Sequence, residues 1–210
     1  MATLMRALAL TGGEWVIYIL LFFSVLAMAI ILERWIVLMR EKKFAAAARQ
    51  IFLELVEDQS DIRWPQIVQT LESNRGFLAL TLSDALRHAH HGPESAEEHL
   101  ESAMLSRRQK LEKRLIILGT LGNNAVYVGL FGTVLGVIKA FRDLAASQGG
   151  PEVVMQGLSQ ALIATAVGLM VALPCTAAYN FFQKQIKDLC VESESLGRIF
   201  LARIKRKESR

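Results

Sequence analysis

Long apolar stretches dominate the chain, and the polar residues inside them are few and small. Leu158 to Asn180 reads LSQALIATAVGLMVALPCTAAYN, roughly six helical turns in which the polar members are mainly a glutamine, small hydroxyls and a late proline. Leu130 to Phe141, LFGTVLGVIKAF, lies just upstream and has the same character. Polar groups inside hydrocarbon are costly unless a neighbouring helix or a water-lined path satisfies them. Two such helices in tandem point to an intramembrane polar pathway rather than a plain anchor.

A further apolar stretch runs from Trp15 to Leu32, interrupted only by Tyr18 and Ser24, and continues past Glu33 and Arg34 to Met39. At ~1.5 Å per residue it crosses a ~30 Å hydrocarbon core with length to spare. It is longer than the apolar part of a secretory signal, and no small-x-small cleavage site follows, so it reads as a retained span. The second span covers 115–144 and the third 153–183. Each is about 45 Å long as a helix, more than the hydrocarbon thickness, so both are expected to extend into a cytoplasmic region. AASQGGPE, Ala145 to Glu152, is turn-like and makes an antiparallel hairpin of the two. The expected fold is an all-α membrane protein with three transmembrane helices (15–39, 115–144 and 153–183).

Composition agrees with spans plus a substantial aqueous part. Hydrophobic residues make up 52% of the 210, too many for an ordinary soluble domain, while 21% charged is too many for a chain wholly in the membrane. Net charge is +4, and its placement sets orientation. Arg40-Glu41-Lys42-Lys43 follows the first span, RRQKLEKR (Arg107 to Arg114) precedes the second, and the tail ends RIKRKESR (Arg203 to Arg210). The link 145–152 carries no Lys or Arg, although Lys139 and Arg142 stand close by. The N-terminus (1–14) and the link are therefore expected outside, with 40–114 and the basic tail 184–210 in the cytoplasm.

Residues 40–114 hold 12 basic and 12 acidic side chains, a neutral, solvated region. It reads as helices over Ala45 to Glu57, from Trp64-Pro65, over Phe77 to His90 and over Pro93 to Lys113, with a break at Ser73 to Gly76. The last helix is expected to merge with the second span. His88, His90, His91 and His99 invite a metal reading, but no cysteine or ligand spacing accompanies them, and they read as exposed loop histidines. Cys175 and Cys190 lie on one predicted helix, too far apart to pair. No nucleophile–base pair, phosphate loop, cofactor motif or basic nucleic-acid patch is visible, so neither an enzyme nor a nucleic-acid binder is expected.

Within the spans, Thr133 is 11 residues before Leu144, and Thr165 is 11 residues after Val154. Both then lie roughly 16 Å deep, near mid-bilayer. Hydroxyls at matched depth are able to bond water, each other or a carboxyl from a further helix, or to bond back to a carbonyl one turn earlier. Gln160 lies about 7 Å further out and some 140° around the helix from Thr165. Gly119, Gly122, Gly129, Gly132 and Gly136 mark a small-residue face, answered by Ala161, Ala164, Gly168 and Ala172 on the third span. Pro174 is placed to kink that span, and Asn123 and Asn124 stand toward the cytoplasmic part of the second, at an inner vestibule. No carboxylate lies deep in any span: Glu33, Asp143 and Glu152 are all near the edges. Thr and Gln do not titrate, so the chain alone is not a complete proton carrier.

The segments GLFGTVLGVIKAF (Gly129 to Phe141) and LSQALIATAVGLMVALPCTAAYN resemble the ExbB/TolQ/MotA family of proton-driven stator proteins, nearer the ExbB/TolQ branch. The resemblance takes in essentially the whole chain. It implies a homopentamer with the second and third spans lining a central pore, and within it two copies of an ExbD/TolR-like single-span partner whose transmembrane Asp carries the proton. A TonB/TolA-like or gliding-machinery protein would be driven by this unit in the bacterial inner membrane. The family's pore threonines fall on Thr133 and Thr165. Family members commonly have Glu where this chain has Gln160, which keeps the shape and loses the titration. Two other readings compete: a non-conducting scaffold for the partner, and a small-molecule transporter, which calls for inverted repeats and broken helices that are not visible.

Overall fold

The computed structural model describes residues 13–57, 64–146 and 150–208. The N-terminal stretch 1–12, link residues 147–149 and the end of the tail, 209–210, all assigned above to an aqueous side, lie outside them. Six α-helices are described: α1 (Glu14–Glu57), α2 (Trp64–Asn74), α3 (Phe77–His88), α4 (Pro93–Glu112), α5 (Leu115–Ala146) and α6 (Pro151–Glu208), with a 3-10 turn at Ala89–His91. No strand occurs among the described residues. The helices α1, α5 and α6 are each long and apolar enough to cross a membrane.

Two boundaries differ from the expected ones. The helix expected over Ala45 to Glu57 is the end of α1. Arg40 to Lys43 is charged but contains no helix breaker, so polarity changes there without a change of backbone. Conversely, the helix from Pro93 does not merge with the second span: Lys113 and Arg114 form a turn. The guanidinium of Arg34, only 7% exposed, donates to the Leu111 carbonyl at 2.9 Å. That oxygen is one an unbroken helix would give to the amide four residues on. Glu33 pairs with Arg114 beside it.

The chain divides into two compact units. The first holds α1 to Leu32, α5, and α6 to Asn180. Its buried residues are mostly small or aliphatic, among them Val16, Leu20, Ala27, Leu118, Ala125, Leu135, Ala161 and Ala164. Large apolar side chains such as Phe22, Met28, Tyr127, Phe141, Leu162 and Met170 point outward. That inversion suits a lipid-facing or subunit-facing surface.

The second unit holds Glu33–Arg114 and the end of α6 from Phe181. Phe52, Leu71, Leu78, Leu82, Phe182, Ile186 and Phe200 form its core, with Phe52 and Phe200 meeting edge to face at 6.2 Å. Between α2 and α3, a Cβ on Gly76 would lie 2.5 Å from the Phe44 Cβ, so this residue allows the chain to pass close to α1. The left-handed turn that ends α2 then falls on Arg75, φ 54°. The N-cap position of α3 is Gly76, which has no side chain to cap with. Glu41 supplies the cap from α1: its Oε2 accepts from the Phe77 amide at 2.7 Å. Glu41→Ala is expected to cost about 1–2 kcal/mol in denaturant melts, with Glu41→Gln retaining part of it. An unchanged midpoint in Glu41→Ala would mean the cap is idle.

Cys175 and Cys190 are free and buried, at 1% and 8% exposed. Burial pushes the Cys190 thiol up from its ordinary range. Thiolate is the reactive form, so native protein at neutral pH is expected to take up less than about a tenth of the maleimide that denatured protein does. Rapid labelling of native protein would contradict the burial.

Candidate functional site

The candidate site grows out of the packing of α5 on α6. At four of the five glycines of α5 (Gly122, Gly129, Gly132 and Gly136) a small residue or backbone of α6 fills the space a side chain would need, while Gly119 faces the Tyr179 ring. A Cβ on Gly136 would sit 2.6 Å from the Ala161 Cβ, one on Gly132 2.8 Å from the Ala164 Cβ, and one on Gly129 2.8 Å from the Ala164 carbonyl oxygen. From the other side, a Cβ on Gly168 would lie 2.7 Å from the Ala125 carbonyl oxygen and one on Gly157 2.6 Å from the Ala140 Cβ. These contacts run in opposite chain directions, the pattern of an antiparallel pair with its backbones drawn together. Gly132 also receives Val16 of α1.

That register brings Thr133 and Thr165 to nearly the same level. A Cβ on Gly129, one turn before Thr133, would lie 3.1 Å from the Thr165 Cα. The two hydroxyls nevertheless differ. Thr133 gives its proton to the Leu130 carbonyl at 2.6 Å, as Thr120, Thr81 and Ser193 do to carbonyls one turn back. The Thr165 Oγ1 is buried and has no partner among the described residues. A buried hydroxyl in that state carries the full desolvation cost of an unmade bond.

Gln160 is placed elsewhere. It is exposed and, with Gln156 one turn earlier, lines a groove of about 540 Å³ whose far wall carries Glu14, Lys139 and Asp143. Lys139 Nζ stands 3.2 Å from a Glu14 carboxylate oxygen. Gly132 and Gly136 reach the same groove, whereas Thr133 and Thr165 do not line it. Gln156 and the Glu14–Lys139 pair were not identified as site residues from sequence. The i, i+4 spacing of the two glutamines was the available signal. Asn123 and Asn124 are exposed on α5, and the Asn124 amide donates to the Thr120 carbonyl at 2.8 Å. Pro174 lies exposed inside α6, where its ring removes the amide that would bond the Met170 carbonyl.

The histidines meet in two pairs: His88 stacks on His99 at 3.5 Å between centroids, and the His90 and His91 rings are tilted at 43°, 3.9 Å apart. No group of three or more His, Cys, Asp or Glu side chains suited to a metal ion occurs among the described residues.

Comparison with known proteins gives the sequence relatives. Residues 70–195 match the model of the MotA/TolQ/ExbB proton channel family. The chain is 31% identical over 179 residues to the Tol-Pal system protein TolQ of Haemophilus influenzae, covering 79% of this chain and 76% of that protein. It is 45% identical over 95 residues to the Tol-Pal system protein TolQ of Pseudomonas aeruginosa, 43% of this chain and 41% of that one. Over 90 residues it is 41% identical to the biopolymer transport protein ExbB of Aquifex aeolicus, 42% of this chain and 60% of that one. In the last two matches the chain spans less than two thirds of the relative's length.

Proposed function

The chain belongs to the MotA/TolQ/ExbB proton channel family, and from that premise we propose that it is the wall-forming inner-membrane subunit of a proton-driven motor. In this reading five copies surround a dimer of a single-span, ExbD/TolR-like protein. The α5 and α6 spans line the lumen. The partner's transmembrane Asp carries the proton, and its cycle turns gradient energy into work on a TonB/TolA-like or gliding-type envelope machine. The N-terminus and the α5–α6 link face the periplasm, and the basic tail faces the cytoplasm.

The observation that carries the reading is the Thr165 hydroxyl: buried in an apolar span, level with Thr133, and without a hydrogen-bond partner among the described residues. Such a group is poised for an outside partner or a water file. No carboxylate of this chain lies between Glu14 and Glu33 in α1, between Leu115 and Asp143 in α5, or between Glu152 and Asp188 in α6. The titrating group must therefore be supplied by another chain.

The test is proton uptake into proteoliposomes under an imposed gradient, with and without the co-purified single-span partner. Uptake is expected only with the partner present. Comparable conduction by the chain alone would overturn the assignment. The uncharged Gln160 favours a second reading, a non-conducting scaffold. Force output that survives collapse of the gradient would select it.

A further inference from the structure

The second unit contains an open groove of about 560 Å³ that the motor reading does not use, a size typical of small-molecule sites. Its lining is rich in donors: Arg75, Arg107 and Lys110, the hydroxyls of Ser102 and Ser106, and the ring of His88. Two carboxylates also line it, and both are engaged. Glu41 caps α3 through the Phe77 amide, and Asp84 is held by Arg107 at 2.7 Å. The side chains of Arg75, Lys110, Ser102 and Ser106 have no hydrogen-bond or ion-pair partner among the described residues. The groove therefore keeps two cations outside any ion pair against the one remaining carboxylate charge of Glu41, a net positive lining, and two hydroxyls without a side-chain partner. The His88 Nδ1 meets the Asp84 carbonyl at 2.9 Å. A carbonyl only accepts, so Nδ1 carries the proton and Nε2 is left as an acceptor.

Arg75 adds a second, independent observation. It adopts φ 54°, a conformation that glycine takes without cost and arginine does not. A glycine follows immediately but is committed to the passage against Phe44. Strain held at a groove lip by a residue with an unpaired guanidinium is the pattern of a functional side chain.

We propose that this groove binds a phosphate group. Arg75 and Lys110 would balance its charge, Ser102 and Ser106 would donate to its oxygens, and the His88 Nε2 would accept from a P–OH. Phosphate carries both the oxygens and the proton this set needs, whereas sulfate at neutral pH lacks the proton. The group is free phosphate or a phosphomonoester, since a diester keeps no P–OH at neutral pH, and it comes either from a soluble phosphorylated solute or from a monoester lipid headgroup.

The experiment is equilibrium binding of radiolabelled orthophosphate to the full-length protein in a sugar-headgroup detergent, which brings no phosphate of its own. Saturable binding is expected, with sulfate a weaker competitor. Arg75→Gly and Lys110→Gln are each expected to weaken it by about tenfold or more, the loss of one charge-assisted contact. Arg75→Gly relieves the backbone, so it is expected to melt no lower than wild type, which separates loss of ligand from loss of fold. Competition by added phosphatidic acid, whose headgroup is a phosphomonoester, identifies a headgroup as the source, and lack of competition identifies a soluble phosphate. No saturable binding, binding unchanged in both variants, or binding of an acidic peptide but not of phosphate overturns the proposal. None of these outcomes depends on proton flux, so the site stands or falls separately from the motor reading.

Discussion

Thr165→Val is expected to raise the stability of the isolated chain and, in the same protein, to lower partner-dependent proton flux by about tenfold or more. The two shapes are nearly identical, so the change deletes one hydroxyl and little else. That hydroxyl is buried with no partner among the described residues, and leaving such a group unbonded costs about 1–3 kcal/mol. Removing it returns part of that cost, which a thermal melt of the purified chain reads as a higher midpoint. If the hydroxyl bonds a water or the partner's carboxyl in the working assembly, the same change breaks the path, and tenfold in rate corresponds to about 1.4 kcal/mol. Thr133→Val is expected to do less, because its hydroxyl is already bonded to the Leu130 carbonyl at 2.6 Å. Thr165→Ser restores the oxygen and should recover most of the flux. A Thr165→Val chain that melts lower, or conducts as wild type does, would remove the proposed role.

The difference between Thr133 and Thr165 was not legible from sequence. Depth is a matter of counting residues, and the glycine contacts put the two helices in a register that agrees with the count. Whether a hydroxyl turns back to its own helix is a matter of rotamer and neighbour, which spacing does not encode. The small-residue face was readable, since Gly129, Gly132 and Gly136 repeat at helical spacing. Gly157 fell outside that reading although Ala140 packs on it as tightly. The extent of α1 was obscured by Arg40 to Lys43. Charge marks where a chain leaves hydrocarbon, not where its helix ends. The capping of α3 was hidden for another reason: Glu41 is 36 residues from Phe77, and local motifs for helix starts search only the preceding turn. The turn at Lys113–Arg114 likewise coincides with a contact from distant Arg34.

Gly168→Ala is expected to destabilise the α5–α6 pair by more than about 3 kcal/mol and to prevent recovery of an assembled oligomer. The added Cβ would lie 2.7 Å from the Ala125 carbonyl oxygen and 3.1 Å from the Gly129 Cα. Both obstacles are backbone, so no side chain can swing aside, and the helices must separate. Overpacking of one methyl costs about 1–3 kcal/mol where neighbours can adjust. Here separation also loosens the contacts of Gly129 with Ala164 and of Gly132 with Ala164, because a helix moves as a rigid rod. In lipid no hydrophobic force compensates, and close packing is what holds such helices together. Gly119→Ala is the control. Its Cβ meets the Tyr179 ring at 3.1 Å, a side chain able to shift, while replacing glycine inside a helix gains about 1 kcal/mol. That variant is therefore expected to stay within about 1 kcal/mol of wild type. Unfolding both variants in mixed micelles, alongside the oligomer yield of each, decides between a zipper built on backbone contact and a merely apolar seam. Equal midpoints for the two would show that the seam tolerates a methyl at its tightest point, and the close register on which the Thr133–Thr165 level depends would be lost with it.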